Sequence, residues 1–165
     1  MCTLSTNLLI AFVLGILPVS DIRGGVLYVF AASNGMYSTL QGLLVSLAGN
    51  LLVPLIAYKL LDLLDTALKS KYTPSIIKKT YFLILEHGKR KARSVSGKGY
   101  VALAVFVAIP FPATGAWTGT VVAYVLGLNR KKSILAVELG VLVATIIVTL
   151  TVFLSIEVLK HIFLL

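Results

Sequence analysis

Cysteine occurs once, at Cys2, and histidine twice, at His87 and His161. One cysteine excludes an internal disulfide and a cysteine-based metal centre. Neither histidine has a partner at ligand spacing, so no metal is expected. The G-x-x-x-x-G-K-[ST] phosphate loop and the G-x-S-x-G nucleophile turn are both missing. The chain is therefore read as no enzyme, and no cofactor is expected. Charge is the other scarcity. Only 13% of residues are charged while 58% are apolar, against about 25% and 45–50% in soluble domains. A core built from 165 residues cannot hide that much apolar surface from water, so the remaining solvent is lipid.

The few charges are segregated. Residues 1–58 hold only Asp21 and Arg23, and residues 99–129 hold none. Residues 66–98 hold nine Lys/Arg and one acid, Glu86. Such a stretch between apolar blocks is expected to be cytoplasmic under the positive-inside rule. Few rings interleave it, and no nucleic-acid partner is expected. Within it, residues 73–94 are expected to form an amphipathic helix lying on an anionic leaflet. Thr73-Pro74 supplies a helix start. The N-terminus has neither a positive n-region nor a small-residue cleavage pattern, so residues 4–17 are read as mature structure.

The apolar blocks have awkward lengths. Leu8–Leu17 would make about 15 Å of helix, half of the roughly 30 Å hydrocarbon core. Pro18-Val19-Ser20-Asp21-Ile22-Arg23-Gly24-Gly25 interrupts it, and a short piece, Val26–Ala32, follows. A block from Tyr37 to about Leu64 is long enough for one tilted span. The second half repeats the order: Tyr100–Ile109, a break at Pro110-Phe111-Pro112-Ala113-Thr114-Gly115, a short Ala116–Leu128, then a full span over Ser133–Leu159. An offset of 92 lays Pro18 on Pro110 and Gly35 on Gly127, and one deletion then lays Gly49 on Gly140. This reads as an internal repeat.

If each short–break–short unit is a re-entrant hairpin, each repeat makes one net crossing and the two repeats are inverted. The cation clusters then share one face and the N- and C-termini lie on the other, outside. The expected fold is an all-α polytopic membrane protein of the cell membrane, one membrane domain over 1–165. Repeat one covers 1–64, a basic amphipathic linker 65–98 and repeat two 99–165. Each repeat is a re-entrant helical hairpin plus a transmembrane helix. The rival topology makes every short block a full span and puts the Asp21/Arg23 turn at a membrane surface.

Non-helical backbone at membrane depth survives only where protein or a wet cavity receives its hydrogen bonds. Two equivalent breaks therefore imply a shared cavity. Each precedes a short helix whose N-terminus offers N–H groups and partial positive charge, one near Gly24/Gly25 and one near Gly115–Gly119. Two such ends favour an anion. Arg23 adds a fork that can hold phosphate or carboxylate, or it pairs with Asp21 or Glu138. Asp21 is the expected proton carrier, and Glu138 is a second candidate that could instead reach the basic rim. Asn50, after Gly49 and one turn before Pro54, serves substrate, packing or a kink. Trp117 lines or gates the second break, or simply packs there.

Pro110-Phe111-Pro112-Ala113-Thr114-Gly115-Ala116-Trp117-Thr118-Gly119 resembles the P-x-P-G-T-G-A-W-T-G motif of the small multidrug export protein family. Pro18 through Gly24 resembles its acidic-x-Arg-Gly element, and Gly49-Asn50 its Gly-Asn pair. Asp21 stands where that family usually has Glu, and Ala113 replaces a usual glycine. The family in turn resembles the DedA and SNARE-associated (VTT) membrane proteins, which implies facing hairpins, translocation of lipids or lipid phosphates, and a proton-linked role for an embedded acid and arginine.

The expected function is transport of a phosphorylated, polyprenyl-phosphate-like lipid, coupled to protons. Alternatives are a proton-coupled exporter of small amphipathic cations and a membrane scaffold or insertion factor. The expected site comprises Asp21, Arg23, Gly24, Gly25, Asn50, Pro110, Pro112, Thr114, Gly115, Trp117, Thr118 and Gly119. Expected partners are membrane lipids, an anionic or phosphate headgroup, and a second copy in a homodimer.

Overall fold

The computed structural model describes residues 2–33, 35–69, 83, 98–111 and 114–163. Among the described residues there is no strand. The described residues hold six helices, in order α1 (Cys2–Ile16), α2 (Asp21–Ala32), α3 (Met36–Lys69), α4 (Lys98–Ala108), α5 (Ala116–Val125) and α6 (Arg130–Phe163). The helix expected over 73–94 lies outside the described residues, apart from Leu83. The linker's expected ends are helical: α3 runs on to Lys69 and α4 begins at Lys98.

Two helices, α3 and the Arg130–Val158 part of α6, are long and apolar enough to cross a membrane. Each of these helices has 34 residues, about 51 Å. The four short helices have 15, 12, 11 and 10 residues, about 15–23 Å each. Leu9, Leu27, Leu63, Leu135, Ile146 and Leu154 point outward, a distribution suited to hydrocarbon surroundings rather than water.

Local chemistry ends the short helices. Pro18 follows α1, and Ser20 precedes α2. Gly35 and Gly127 each stand in a turn before a long helix, at φ 119° and 63°, where a Cβ would be strained. The first break is shorter than expected. Helix α2 starts at Asp21, so Arg23, Gly24 and Gly25 lie within its first turns rather than in a loop before it. The Gly24 N–H already bonds the Ser20 carbonyl at 2.8 Å, which corrects the expectation of a free helix end near Gly24/Gly25.

Close backbone approaches set the packing. A Cβ on Gly49 would lie 2.6 Å from the Phe12 carbonyl oxygen, and one on Gly140 would lie 2.6 Å from the Ala104 carbonyl oxygen. Glycine thus lets α3 seat on α1, and α6 on α4. Val53, Leu103, Val107, Ala116, Val137 and Val141 form one apolar cluster joining α3, α4, α5 and α6. Ile22 and Val26 of α2 meet Ala144 and Val148 of α6 in a second. Each half's second short helix therefore packs on the other half's long helix.

Candidate functional site

The two breaks meet, and each closes the other's helix end. A helix leaves its last carbonyls without intrahelical donors. At the end of α1 these are taken one by one. Ser20 Oγ donates to the Leu14 carbonyl at 2.6 Å. Asn50 Nδ2 donates to the Gly15 carbonyl at 2.6 Å. Trp117 Nε1 donates to the Ile16 carbonyl at 2.7 Å. The Asp21 N–H donates to the Leu17 carbonyl at 2.9 Å. Two of these donors come from the first break and its neighbour, one from α3 and one from the first turn of α5.

Arg23 does the converse for α4. Its guanidinium donates to the Phe111 carbonyl, to Thr114 Oγ1 at 3.1 Å and to the Ile109 carbonyl at 3.4 Å. Thr114 Oγ1 itself reaches the Ile109 and Phe111 carbonyls at 2.7 and 2.8 Å. Neither expected pair, Arg23–Asp21 or Arg23–Glu138, occurs among the ion pairs of the described residues. The acceptors of Arg23 are the Ile109 and Phe111 carbonyls and the Thr114 hydroxyl, which is the correction to the sequence reading. Its Nε is buried without a partner.

Asp21 is 7% exposed and holds the left-handed conformation, φ 52°. Aspartate tolerates that region better than most residues because its short side chain can bond locally. Its Oδ1 accepts from Asn50 Nδ2 at 2.6 Å. Its carboxylate also covers the start of α5, since a Cβ on Gly115 would lie 2.6 Å from Asp21 Oδ2. The helix end expected to receive an outside anion therefore faces the chain's own carboxylate. No basic side chain among the described residues pairs with Asp21.

The remaining expected residues divide between packing and the site. Gly25 abuts the Ser46 side chain and Gly24 the Ser20 side chain. Gly119 lets α5 approach Val107 of α4. Thr118 Oγ1 reaches the Gly115 carbonyl at 3.5 Å. Pro110 is exposed at the turn. Pro112 lies outside the described residues. No hydrogen bond or ion pair links half-exposed Glu138 to the Asp21 group among the described residues. Asn50 is wholly buried, and Pro54 has no N–H to give the Asn50 carbonyl. Sequence reasoning missed Ser46, also wholly buried. Its signal was the spacing Gly42, Ser46, Gly49, Asn50 along one side of an otherwise apolar helix.

Trp117→Phe keeps most of the ring's packing and removes the Ile16 bond. It is expected to destabilise the protein by about 1 kcal/mol, read as a lower thermal unfolding midpoint in detergent.

The two ends of the molecule differ. At one, Arg130 pairs with Asp62 at 2.9 Å and lies 4.9 Å over the Tyr58 ring. Lys132 lies 6.0 Å over Tyr100. At the other, a groove of about 510 Å³ opens between Phe30 of α2, Met36, Leu40 and Leu43 of α3, and Phe153 and Glu157 of α6.

A family model described as Putative small multi-drug export protein matches residues 21–147, more than half of the chain. No curated protein and no solved structure matches.

Proposed function

The chain belongs to the small multi-drug export protein family, and from that premise we propose that it is an integral membrane transporter carrying small amphipathic cations out of the cell in exchange for an inward-moving cation. One observation carries this reading: Asp21 is a carboxylate buried to 7% exposure with no basic partner among the described residues. A buried charge of that kind is costly unless compensated. Asn50 and the start of α5 compensate it in part, and substrate and coupling ion would supply the rest in turn. Arg23 would repel a cationic substrate if its guanidinium faced the carboxylate, but it is turned onto Ile109, Phe111 and Thr114. The groove beside Glu157 offers apolar surface to such a substrate at one end of the molecule.

Several features support inverted repeats over 1–64 and 99–165. Gly35 and Gly127, 92 apart, share a positive φ. Phe12 and Ala104, also 92 apart, offer their carbonyls to Gly49 and Gly140 at the same 2.6 Å. The cross-packing of α2 on α6 and α5 on α3 is what a two-fold relation produces. Short helices joined by a break fit hairpins that enter and leave on one side, with the Arg130 end and the 65–98 linker cytoplasmic and both termini outside. A second copy of the chain would cover Val19 and Phe111, which stand exposed at the two breaks.

A second reading, transport of a polyprenyl-phosphate-like lipid, rests on Arg23. It is only half-buried, its Nε lacks a partner, and the resemblance to DedA and VTT proteins points the same way. Purified protein in liposomes decides between them. Uptake of tetraphenylphosphonium or ethidium, lost in Asp21→Asn, is the expected result. Flipping of a labelled polyprenyl phosphate without cation uptake would overturn it in favour of the lipid. Neither activity, together with loss of partner binding on deleting 70–95, would favour a scaffold.

A further inference from the structure

The seam between α2 and α6 is tight at one end and open at the other. Near its foot, Ile22 and Val26 meet Ala144 and Val148, and the two α2 side chains are wholly buried. Asp21 stands immediately before Ile22, at the start of α2. Further along, Phe30 and Leu43 pack against that same cluster and also line the groove of about 510 Å³. The cluster is therefore the floor of the groove, and Asp21 lies at the far end of the seam. From Asp21 to Phe30 the helix rises about 14 Å.

The lining decides between occupants. The volume falls within the range of small-molecule sites, about 300–1,000 Å³. Phe30 of α2 and Phe153 of α6 bring two aromatic rings to the groove from different helices, and ring faces attract cations. Thr39 turns its hydroxyl back on the Gly35 carbonyl at 3.0 Å. Among the described residues of the lining Glu157 alone is charged, and it is an acid. Glu157 lies near the far end of α6 from Arg130, about 40 Å along the helix. A bilayer with its headgroups is about 40–45 Å thick, so the groove opens in the headgroup zone opposite the Arg130 end. An acyl chain would run inward into hydrocarbon and gains nothing from a carboxylate. An anionic headgroup would be repelled by it. An organic cation with aromatic substituents satisfies both features, with its rings on the phenylalanines and its charge near the acid.

We propose that this groove is a second cation subsite, which holds the exported substrate at the outer surface after it leaves Asp21 along the α2–α6 seam. It takes a permanently charged, aryl-substituted cation. The binding is read from the groove itself; its outward position and its place in export rest on the exporter reading above. Ile22 and Val26 close the seam in the structure, so the two sites stand apart and substrate passes between them when α2 parts from α6.

The test is equilibrium binding of radioactive tetraphenylphosphonium to the purified full chain in detergent. Tetraphenylborate, of the same shape and opposite charge, is measured separately. Saturable cation binding, tighter than that of the anion by about ten-fold or more, is expected. Phe153→Leu keeps apolar bulk and removes a ring at a half-exposed position. It is expected to weaken the cation by about 2–30-fold with the unfolding midpoint unchanged. Glu157→Gln is expected to weaken it as well and to flatten its salt dependence. Asp21→Asn is expected to lose transport and keep this binding. Equal affinity for cation and anion overturns the subsite and points to a lipid chain as the occupant. An affinity untouched by both groove substitutions, or one lost in Asp21→Asn, overturns it too. Transport in liposomes without binding in the groove removes the groove and leaves the exporter standing. Selective binding that responds to Phe153 and Glu157, with no transport, keeps the groove and removes the exporter.

Discussion

Arg23→Ala is expected to abolish transport and to lower the unfolding midpoint by more than any other single loss of a polar side chain in the protein. The guanidinium donates to the carbonyls of Ile109 and Phe111 and to Thr114 Oγ1. Hydrogen bonds from a charged donor contribute about 1.5–3 kcal/mol each. Arg23 is half-exposed, and solvent screening discounts the set below the sum of those values, to about 2–4 kcal/mol jointly. Arg23→Lys keeps the charge but replaces a planar fork by a point donor, so it is expected to recover less than half of the stability. Thermal unfolding of the three proteins in one detergent measures this directly. If Arg23→Lys matches the wild type, the fork is irrelevant and only its charge matters.

Gly140→Leu and Gly49→Leu are expected to be the most disruptive changes to the packing. Each puts a side chain where a carbonyl oxygen already stands 2.6 Å from the Cβ position. Inserting bulk into a filled contact costs about 1–3 kcal/mol, and more here because the obstructing atoms are main-chain and cannot rotate away. At Gly140 the Cβ would also meet Val107 at 2.7 Å, so that substitution is expected to be the worse of the two. Gly140→Ala and Gly49→Ala should fall between. Expression level and monodispersity in detergent give the readout. Wild-type behaviour of both leucine variants would mean that α1/α3 and α4/α6 are not held at this separation.

Much of the architecture was legible because its signals are short-range. Pro18 and Pro110 stop helices through their own ring geometry, and Gly35 and Gly127 mark turns that need positive φ. The long apolar blocks announced α3 and α6. The residues brought together at the end of α1 were legible more than their wiring. Asp21, Asn50, Arg23 and Trp117 each stood out as polar or bulky letters in apolar surroundings. Their partners did not, because those of Arg23 and Trp117 are mostly backbone carbonyls, and every residue has one. Nothing in the sequence distinguishes Ile109 or Ile16 as an acceptor. Ser46 was not singled out in the sequence, although its spacing from Gly42, Gly49 and Asn50 puts it on the buried side of α3. The position of α2 was misjudged for a related reason. Two glycines suggested a loop, but the Gly24 N–H bonds the Ser20 carbonyl and Gly25 abuts Ser46 of α3, so both stand in helix despite their low propensity.

The reciprocal closure of helix ends also orders the birth of the protein. Arg23 and Thr114 are 91 residues apart, and Trp117 and Ile16 are 101 apart. A ribosome adding about 5–20 residues per second delivers the partner roughly 5–20 s after the group that needs it. Throughout that interval the first half sits in the bilayer with a bare carbonyl at Ile16 and an arginine lacking its acceptors. Until the second half arrives, water or lipid headgroups are left to serve these groups, so the first half is complete as sequence long before it is complete as a hydrogen-bonded structure.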